Sequence, residues 1–131
     1  MSLERSFTIE QTSFFFDSYA FFEILKGNLN YKKYLDYNII TTKLNLYELY
    51  LGTLRESGEE NAEIVFDKYF KFVIDFDEGV IKEAAKLKNK LNKRDVSMTD
   101  CIGYCLARQL NVPFLTGDNE FRDLEGVEFV K

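Results

Sequence analysis

Apolar positions along this chain switch between two periods, short unbroken runs and one-face helical spacing, and a succession of elements follows from that switching. The run Ser13-Phe14-Phe15-Phe16 ends abruptly in Asp17 and predicts a buried parallel strand, because strands covered on both faces are continuously apolar rather than alternating. Phe21, Ile24 and Leu25 then recur at helical spacing over residues 19–26, with Gly27 and Asn28 as a C-terminal stop. A short helical piece over residues 31–35 leads to a second strand over residues 37–42, where Ile39, Ile40, Thr41 and Thr42 form a β-branched run. Residues 43–56 place Leu44, Tyr47, Leu51 and Leu54 on one helical face, closed by the Ser57-Gly58 break. Residues 59–71 repeat the pattern with Ala62, Val65, Phe66 and Tyr69, which predicts a helical hairpin. Phe72-Val73-Ile74 is expected as a third strand. Asp77 caps a helix with Val80, Ile81, Ala84, Leu87 and Leu91 on its apolar face, and Ser97 begins another that runs to Leu110. Pro113-Phe114-Leu115-Thr116 is expected as a fourth strand and Val127-Glu128-Phe129-Val130, after a short helical turn, as a fifth. Strand and helix alternate, so the fold class is α/β.

Composition narrows this further. At 131 residues, 46% hydrophobic, the chain has material for one core, read as a domain over residues 13–131 behind an N-terminal extension over residues 1–12. No apolar stretch approaches the roughly 20 residues that a bilayer requires, and the first dozen residues carry acids and polar groups where a signal peptide is apolar. The expectation is a cytoplasmic protein with no membrane partner. Cys101 and Cys105 lie one helical turn apart in a periodic segment, which suits small buried hydrophobes rather than a disulfide framework or a zinc site.

Absences exclude whole classes of chemistry. With no histidine, the chain cannot run a Ser-His or Cys-His relay or an imidazole acid–base pair. Its glycines spell neither a dinucleotide-binding turn nor a phosphate-cradling loop. Carboxylate chemistry remains. A net charge of −5 argues against sequence-independent binding of nucleic acid through bulk charge, so local patches or bound cations must compensate.

Four acids are the candidates. Asp17 and Asp118 stand at or just past strand ends, where parallel sheets bind ligands, and Asp100 stands near the start of the helix that feeds the fourth strand. Each also has a structural alternative. Asp17 can cap the helix that follows, Asp118 can cap the turn over residues 119–121, and Ser97-Met98-Thr99-Asp100 has capping-box spacing. Glu48 lies one turn from both Leu44 and Leu51, so helical geometry points it inward, where an unpaired carboxylate costs several kcal/mol. A shared divalent cation removes that cost, since hard cations such as Mg²⁺ and Mn²⁺ prefer oxygen ligands and allow carboxylates to crowd. Such an ion activates a bound water against a phosphodiester without any histidine.

Four segments carry a resemblance: Phe16-Asp17-Ser18, Asn45-Leu46-Tyr47-Glu48-Leu49, Ser97-Met98-Thr99-Asp100-Cys101, and Leu115-Thr116-Gly117-Asp118 before Phe121. Together, from Phe14 to Val130, the chain resembles the PIN-domain nucleases, and most closely the compact VapC-type toxins of toxin–antitoxin pairs. The resemblance implies a mainly parallel central sheet, here of about five strands, with helices on both faces. It implies that Asp17, Glu48, Asp100 and Asp118 form an acidic quartet holding one or two Mg²⁺ or Mn²⁺ ions, with Ser18 and Thr116 as supporting hydroxyls. The implied activity is cleavage of single-stranded RNA by a metal-activated water, and the implied partners are an antitoxin protein and a second copy of the chain. Cys101 stands where family members often have alanine, and Asn119-Glu120 follows Asp118; neither departure removes a ligand.

Two readings stand beside this one: a non-catalytic α/β protein-binding module that keeps its acids as caps, and a PIN nuclease of housekeeping RNA processing. Lys82, Lys86 and Lys90, with Lys93 nearby, recur along one helix face, which is either an RNA-facing stripe or a solvated surface. Tyr31, Tyr34 and Tyr37 read as core or partner surface rather than as a stacking platform for bases.

Overall fold

In a computed structural model, which describes residues 12–131, the phenylalanine run forms strand β1 (Ser13–Phe16) at the centre of a parallel sheet. The expected N-terminal extension lies outside the described residues except for Thr12, whose carbonyl accepts the Asn38 N–H at 2.9 Å. Strands β2 (Asn38–Ile40), β3 (Phe114–Thr116) and β4 (Val127–Phe129) complete the sheet in the order β2-β1-β3-β4, every neighbouring pair parallel. Five α-helices connect them among the described residues: α1 (Ser18–Leu25), α2 (Lys43–Ser57), α3 (Glu59–Tyr69), α4 (Glu78–Lys90) and α5 (Met98–Leu110).

The sheet is covered on both faces, and the pleat of its central strands explains why their sequence does not alternate. Phe15 and Phe114 enter one apolar cluster with Val80 and Ala84 of α4 and Ile102 and Leu106 of α5. Phe16 and Leu115 enter the other with Ala20 and Phe21 of α1, Leu46 and Leu49 of α2, and Tyr31, Tyr34 and Tyr69. Local signals mark several element ends. Asp77 Oδ1 accepts the Val80 N–H at 3.0 Å, and Gly27 turns the end of α1 at φ 82°, a left-handed conformation that favours glycine.

Two expectations are corrected. Residues 72–74 do not form a third strand, so the described sheet has four strands rather than about five. The chain leaves α3 through a 3₁₀ turn (Phe70–Phe72) that keeps Tyr69 and Phe72 in ring contact, and Val73 makes an isolated parallel bridge to Thr41. The second correction concerns the phase of α2. Tyr47 and Leu54 were expected inside, yet they are 66% and 37% exposed, while Asn45, Leu46, Leu49 and Thr53 are buried. Polar bonds at the helix start hold this phase, as described below. Gly52 permits it, because a Cβ there would come within 2.5 Å of Phe22 Cζ.

The lysine face of α4 reads as solvated surface with local pairings. Lys82 and Lys86 pair with Glu78 and Glu83 of their own helix, and Lys88 donates to the Val96 carbonyl. Tyr31 and Tyr34 are core residues, Cys101 is buried, and Cys105 is half-buried; both thiols are free. No helix among the described residues is long and apolar enough to cross a membrane.

Candidate active site

The strand ends β1, β2 and β3 all deliver polar residues at the same edge of the sheet, as parallel strands must. Asp17 follows β1 directly and is 2% exposed. Its Oδ2 accepts the Thr116 hydroxyl at 2.9 Å, whereas Oδ1 is buried without a hydrogen-bond partner. Although Asp17 occupies the N-cap position of α1, its side chain caps nothing. An orphaned buried carboxylate oxygen is costly and rare in a folded protein. Burial, above all, raises the Asp17 pKa well above the usual carboxylate range; the negative charges of Asp100 and Glu48 add to the rise, and the Thr116 hydroxyl and the Ser18 backbone N–H oppose it.

Thr116 ties two strand ends together with one oxygen. Its hydroxyl donates to Asp17 and accepts the Asp118 N–H at 3.1 Å. Gly117 between them lets β3 leave the sheet tightly, since a Cβ there would collide with the Val130 carbonyl and the Tyr19 ring. Asp118 Oδ1 then accepts the Glu120 N–H at 3.0 Å and caps the short 3₁₀ turn Asn119–Phe121.

Asp100 sits in the first turn of α5 in a complete capping box: Ser97 N–H donates to its Oδ2 and its own N–H donates to Ser97 Oγ, each at 3.0 Å. Its pKa is raised, chiefly by burial; the Ser97 bonds oppose the rise, and the charges of Glu48 and Asp118 add to it. These couplings link Asp17 to Asp100 and Glu48, and Asp100 to Glu48 and Asp118, so all four acids share one electrostatic neighbourhood.

Glu48 differs from its expected setting. It is half-buried rather than enclosed by Leu44 and Leu51, and its carboxylate is partnered: Ser18 Oγ donates to Oε1 at 2.6 Å. Ser18 in turn accepts from Asn45 Nδ2 at 2.9 Å, and Asn45 Oδ1 accepts the Thr42 hydroxyl at 2.7 Å. Asn45 and Thr42 are fully buried and were not among the candidate residues. A signal for them was present, because Thr42 and Asn45 have cap-to-third-position spacing and Asn45 precedes Glu48 by three residues, on the same helix face.

The capping alternative thus describes Asp100 and Asp118 and fails for Asp17. Each cap uses one carboxylate oxygen and leaves the second available. Among the described residues, no group of three His, Cys, Asp or Glu side chains is gathered closely enough to hold a metal ion as it stands. Mutual repulsion opposes that gathering, and each of Glu48, Asp100 and Asp118 is tied to a local donor instead. The donor set itself fits a hard cation: it is all oxygen, carries excess negative charge, and includes the unsatisfied Asp17 Oδ1.

A parallel sheet covered on both faces, with Asp17 and Asp118 following its strand ends, has known relatives. The chain belongs to the PIN-domain family, whose sequence profile matches residues 14–127. Among solved structures it is similar to a chain of the DNA-bound VapBC of Salmonella typhimurium, at 16% identity and a TM-score of 0.71, over 91% of this chain and 97% of that one. It is likewise similar to VapBC-1 of nontypeable Haemophilus influenzae, at 17% identity and a TM-score of 0.70, over 91% and 97% of the two chains. A toxin–antitoxin complex from Klebsiella pneumoniae matches at 14% identity and a TM-score of 0.69, over 86% of this chain and 93% of that one. At these identities the likeness is one of fold. No curated protein matches the chain significantly.

Proposed function

We propose that this PIN domain is a metal-dependent endoribonuclease that cleaves phosphodiester bonds of single-stranded RNA, and that it acts as the toxin of a cytoplasmic toxin–antitoxin pair. The observation that carries the reading is Asp17, a buried acid with one oxygen unpartnered and a raised pKa, coupled to two other acids. A structural role does not account for that expense; a cation bound at Asp17 does. In this reading Asp17, Glu48, Asp100 and Asp118 hold one or two Mg²⁺ or Mn²⁺ ions. When bound, the ion lowers the pKa of a coordinated water and offsets charge at the phosphodiester.

The chain's own residues prepare the site. Thr116 holds Asp17 by one oxygen and leaves the other directed elsewhere, while Ser18 holds Glu48. Asp100 and Asp118 each use one carboxylate oxygen as a cap, and both would serve as ligands when the ion is bound. The caps favour a second reading, a protein-binding module without catalysis, but that reading explains neither Asp17 nor the coupling of the four acids.

The toxin role and the antitoxin partner rest on the similarity to VapBC and toxin–antitoxin complexes. An apolar groove between α2 and α3, lined by Leu46, Tyr47, Tyr50, Phe66 and Phe70, supports a partner surface for an antitoxin segment or a second copy. The test is cleavage of single-stranded RNA with Mn²⁺, run beside a small phosphomonoester and beside Asp17→Asn. RNA cleavage that Asp17→Asn abolishes supports the nuclease; turnover of the phosphomonoester alone, or of neither, overturns it. A neighbouring gene for a small DNA-binding protein that co-purifies with the chain supports the toxin role.

A further inference from the structure

We propose that Asn45 is a positioning residue for the acidic site, acting through Ser18 on the Glu48 carboxylate; the inference rests on the metal-site reading above. The basis is a directional chain of hydrogen bonds. The Thr42 hydroxyl donates to Asn45 Oδ1 at 2.7 Å, Asn45 Nδ2 donates to Ser18 Oγ at 2.9 Å, and the Ser18 hydroxyl donates to Glu48 Oε1 at 2.6 Å.

Direction matters because hydroxyls and amides have few protons to give. Thr42 Oγ1 accepts the Asn45 N–H at 3.3 Å and gives its own proton to the amide oxygen at 2.7 Å, an arrangement that sets the Asn45 oxygen toward Thr42. The amide nitrogen must then face Ser18. With a donor arriving at Ser18 Oγ, the Ser18 proton is directed to the carboxylate. A flipped amide would set its oxygen against Ser18 Oγ, where it would compete with Glu48 for the single serine proton. The side chain of Asn45 therefore decides whether Glu48 is held.

Burial makes this a rigid device. Asn45 and Thr42 are fully buried and Ser18 is 7% exposed, so water does not substitute for a missing link. Ser18 stands at the start of α1 and adjoins Asp17 in the chain, while Glu48 lies one turn beyond Asn45 on α2. The chain of bonds thereby sets the start of α2 against the start of α1. It also accounts for the unexpected phase of α2, which turns Asn45 rather than Tyr47 inward.

The experiment is Mn²⁺ binding by calorimetry to the full chain, in wild type, Glu48→Gln, Asn45→Leu and the double variant. Ser18→Ala approaches the same link from α1, and Ser18→Thr keeps the hydroxyl; unchanged far-ultraviolet dichroism qualifies each variant. Groups that orient metal ligands typically cost 10–100-fold in affinity when removed. We expect Asn45→Leu and Ser18→Ala each to weaken Mn²⁺ binding about tenfold, Ser18→Thr to restore it, and Asn45→Leu to add nothing in the Glu48→Gln background. If Asn45→Leu binds Mn²⁺ like wild type while Glu48→Gln is impaired, this inference fails and the metal site stands. Equal weakening in both backgrounds assigns Asn45 a merely structural part and overturns it too. If wild type binds no Mn²⁺, the metal-site reading fails and takes the inference with it; if Glu48→Gln binds it unchanged, Glu48 is no ligand and the inference fails while the site at Asp17 stands. Should Asn45→Leu not fold, the Ser18 pair decides: equal affinity for Ser18→Ala and Ser18→Thr overturns the relay.

Discussion

Thr116 and Asp17, 99 residues apart in the chain, meet through a buried 2.9 Å hydrogen bond, and the same Thr116 oxygen receives the backbone N–H of Asp118. Replacing Thr116 with valine keeps the shape and strands both partners at once. We expect the metal-free protein to lose about 1–3 kcal/mol, the cost of a buried polar group left unsatisfied, and Thr116→Ser to retain most of that stability. Urea unfolding in the presence of a chelator measures both.

The four acids separate site from cap by the sign of a stability change. Asn at position 100 still accepts from Ser97, and Gln at position 48 still accepts from Ser18, so Asp100→Asn and Glu48→Gln relieve repulsion without breaking a bond. Both metal-free variants should be as stable as wild type or more so, while Mn²⁺-dependent RNA cleavage falls by orders of magnitude. Asp100→Ala removes the cap as well and should cost on the order of 1 kcal/mol with or without metal. A Glu48→Gln protein that is destabilised yet cleaves normally would sink the active-site assignment.

A cation that binds only the folded chain must stabilise it. At a hundredfold excess over its dissociation constant the gain is about 2.7 kcal/mol, read as a rise in melting temperature with millimolar Mn²⁺ or Mg²⁺. Asp17→Asn should abolish the rise. An unchanged melting curve for wild type is the contrary result.

The raised pKa of Asp17 carries a definite pH dependence. Below the unfolded value, about 3.9, both states are protonated and the group contributes nothing. As pH climbs from there through the raised folded value, the folded state holds a proton that the unfolded state has released, and stability is progressively lost. Other groups shape the total curve: Asp77, Asp123 and Glu23 are shifted the opposite way. The informative quantity is therefore the difference between wild type and Asp17→Asn in chelator, which should widen in favour of the variant as pH increases from about 4. Bound Mn²⁺ should reverse the trend, because deprotonated ligands bind metal better.

Tyr47 and Phe70, on the rim of the apolar groove, are 66% and 46% exposed, and Phe70 stacks on Phe66, so charges there act mainly on the groove. Tyr47→Lys with Phe70→Asp should leave melting and cleavage near wild-type values and abolish self-association or antitoxin capture. Sedimentation and co-purification from the native host check it, with unimpaired assembly as the opposing outcome.

What the sequence by itself determined was what neighbouring residues decide among themselves. An unbroken phenylalanine run implied a strand covered on both faces, and Asp77 and the Ser97–Asp100 pair announced helix starts through bonds spanning three residues. Strand and helix order followed, and with it the sheet edge to which Asp17 and Asp118 belong. Tertiary structure decided the rest, since the deciding partners lie far away in the chain. Periodicity ranked Tyr47 above Asn45 for the inner face of α2, but an amide that meets Ser18 across 27 residues is buried there, and the tyrosine is left to solvent. Residues 72–74 had the composition of a strand, yet Tyr69 and Phe72 pack together and the segment pairs only through an isolated bridge from Val73 to Thr41. For Asp17, at a strand end, the sequence left a helix cap as an alternative until Thr116, 99 residues on, supplied its partner and burial left its other oxygen with none. Local propensities are worth tenths of a kcal/mol, whereas a buried polar group that finds or lacks its partner is worth 1–3, and where the two compete the long-range contact prevails.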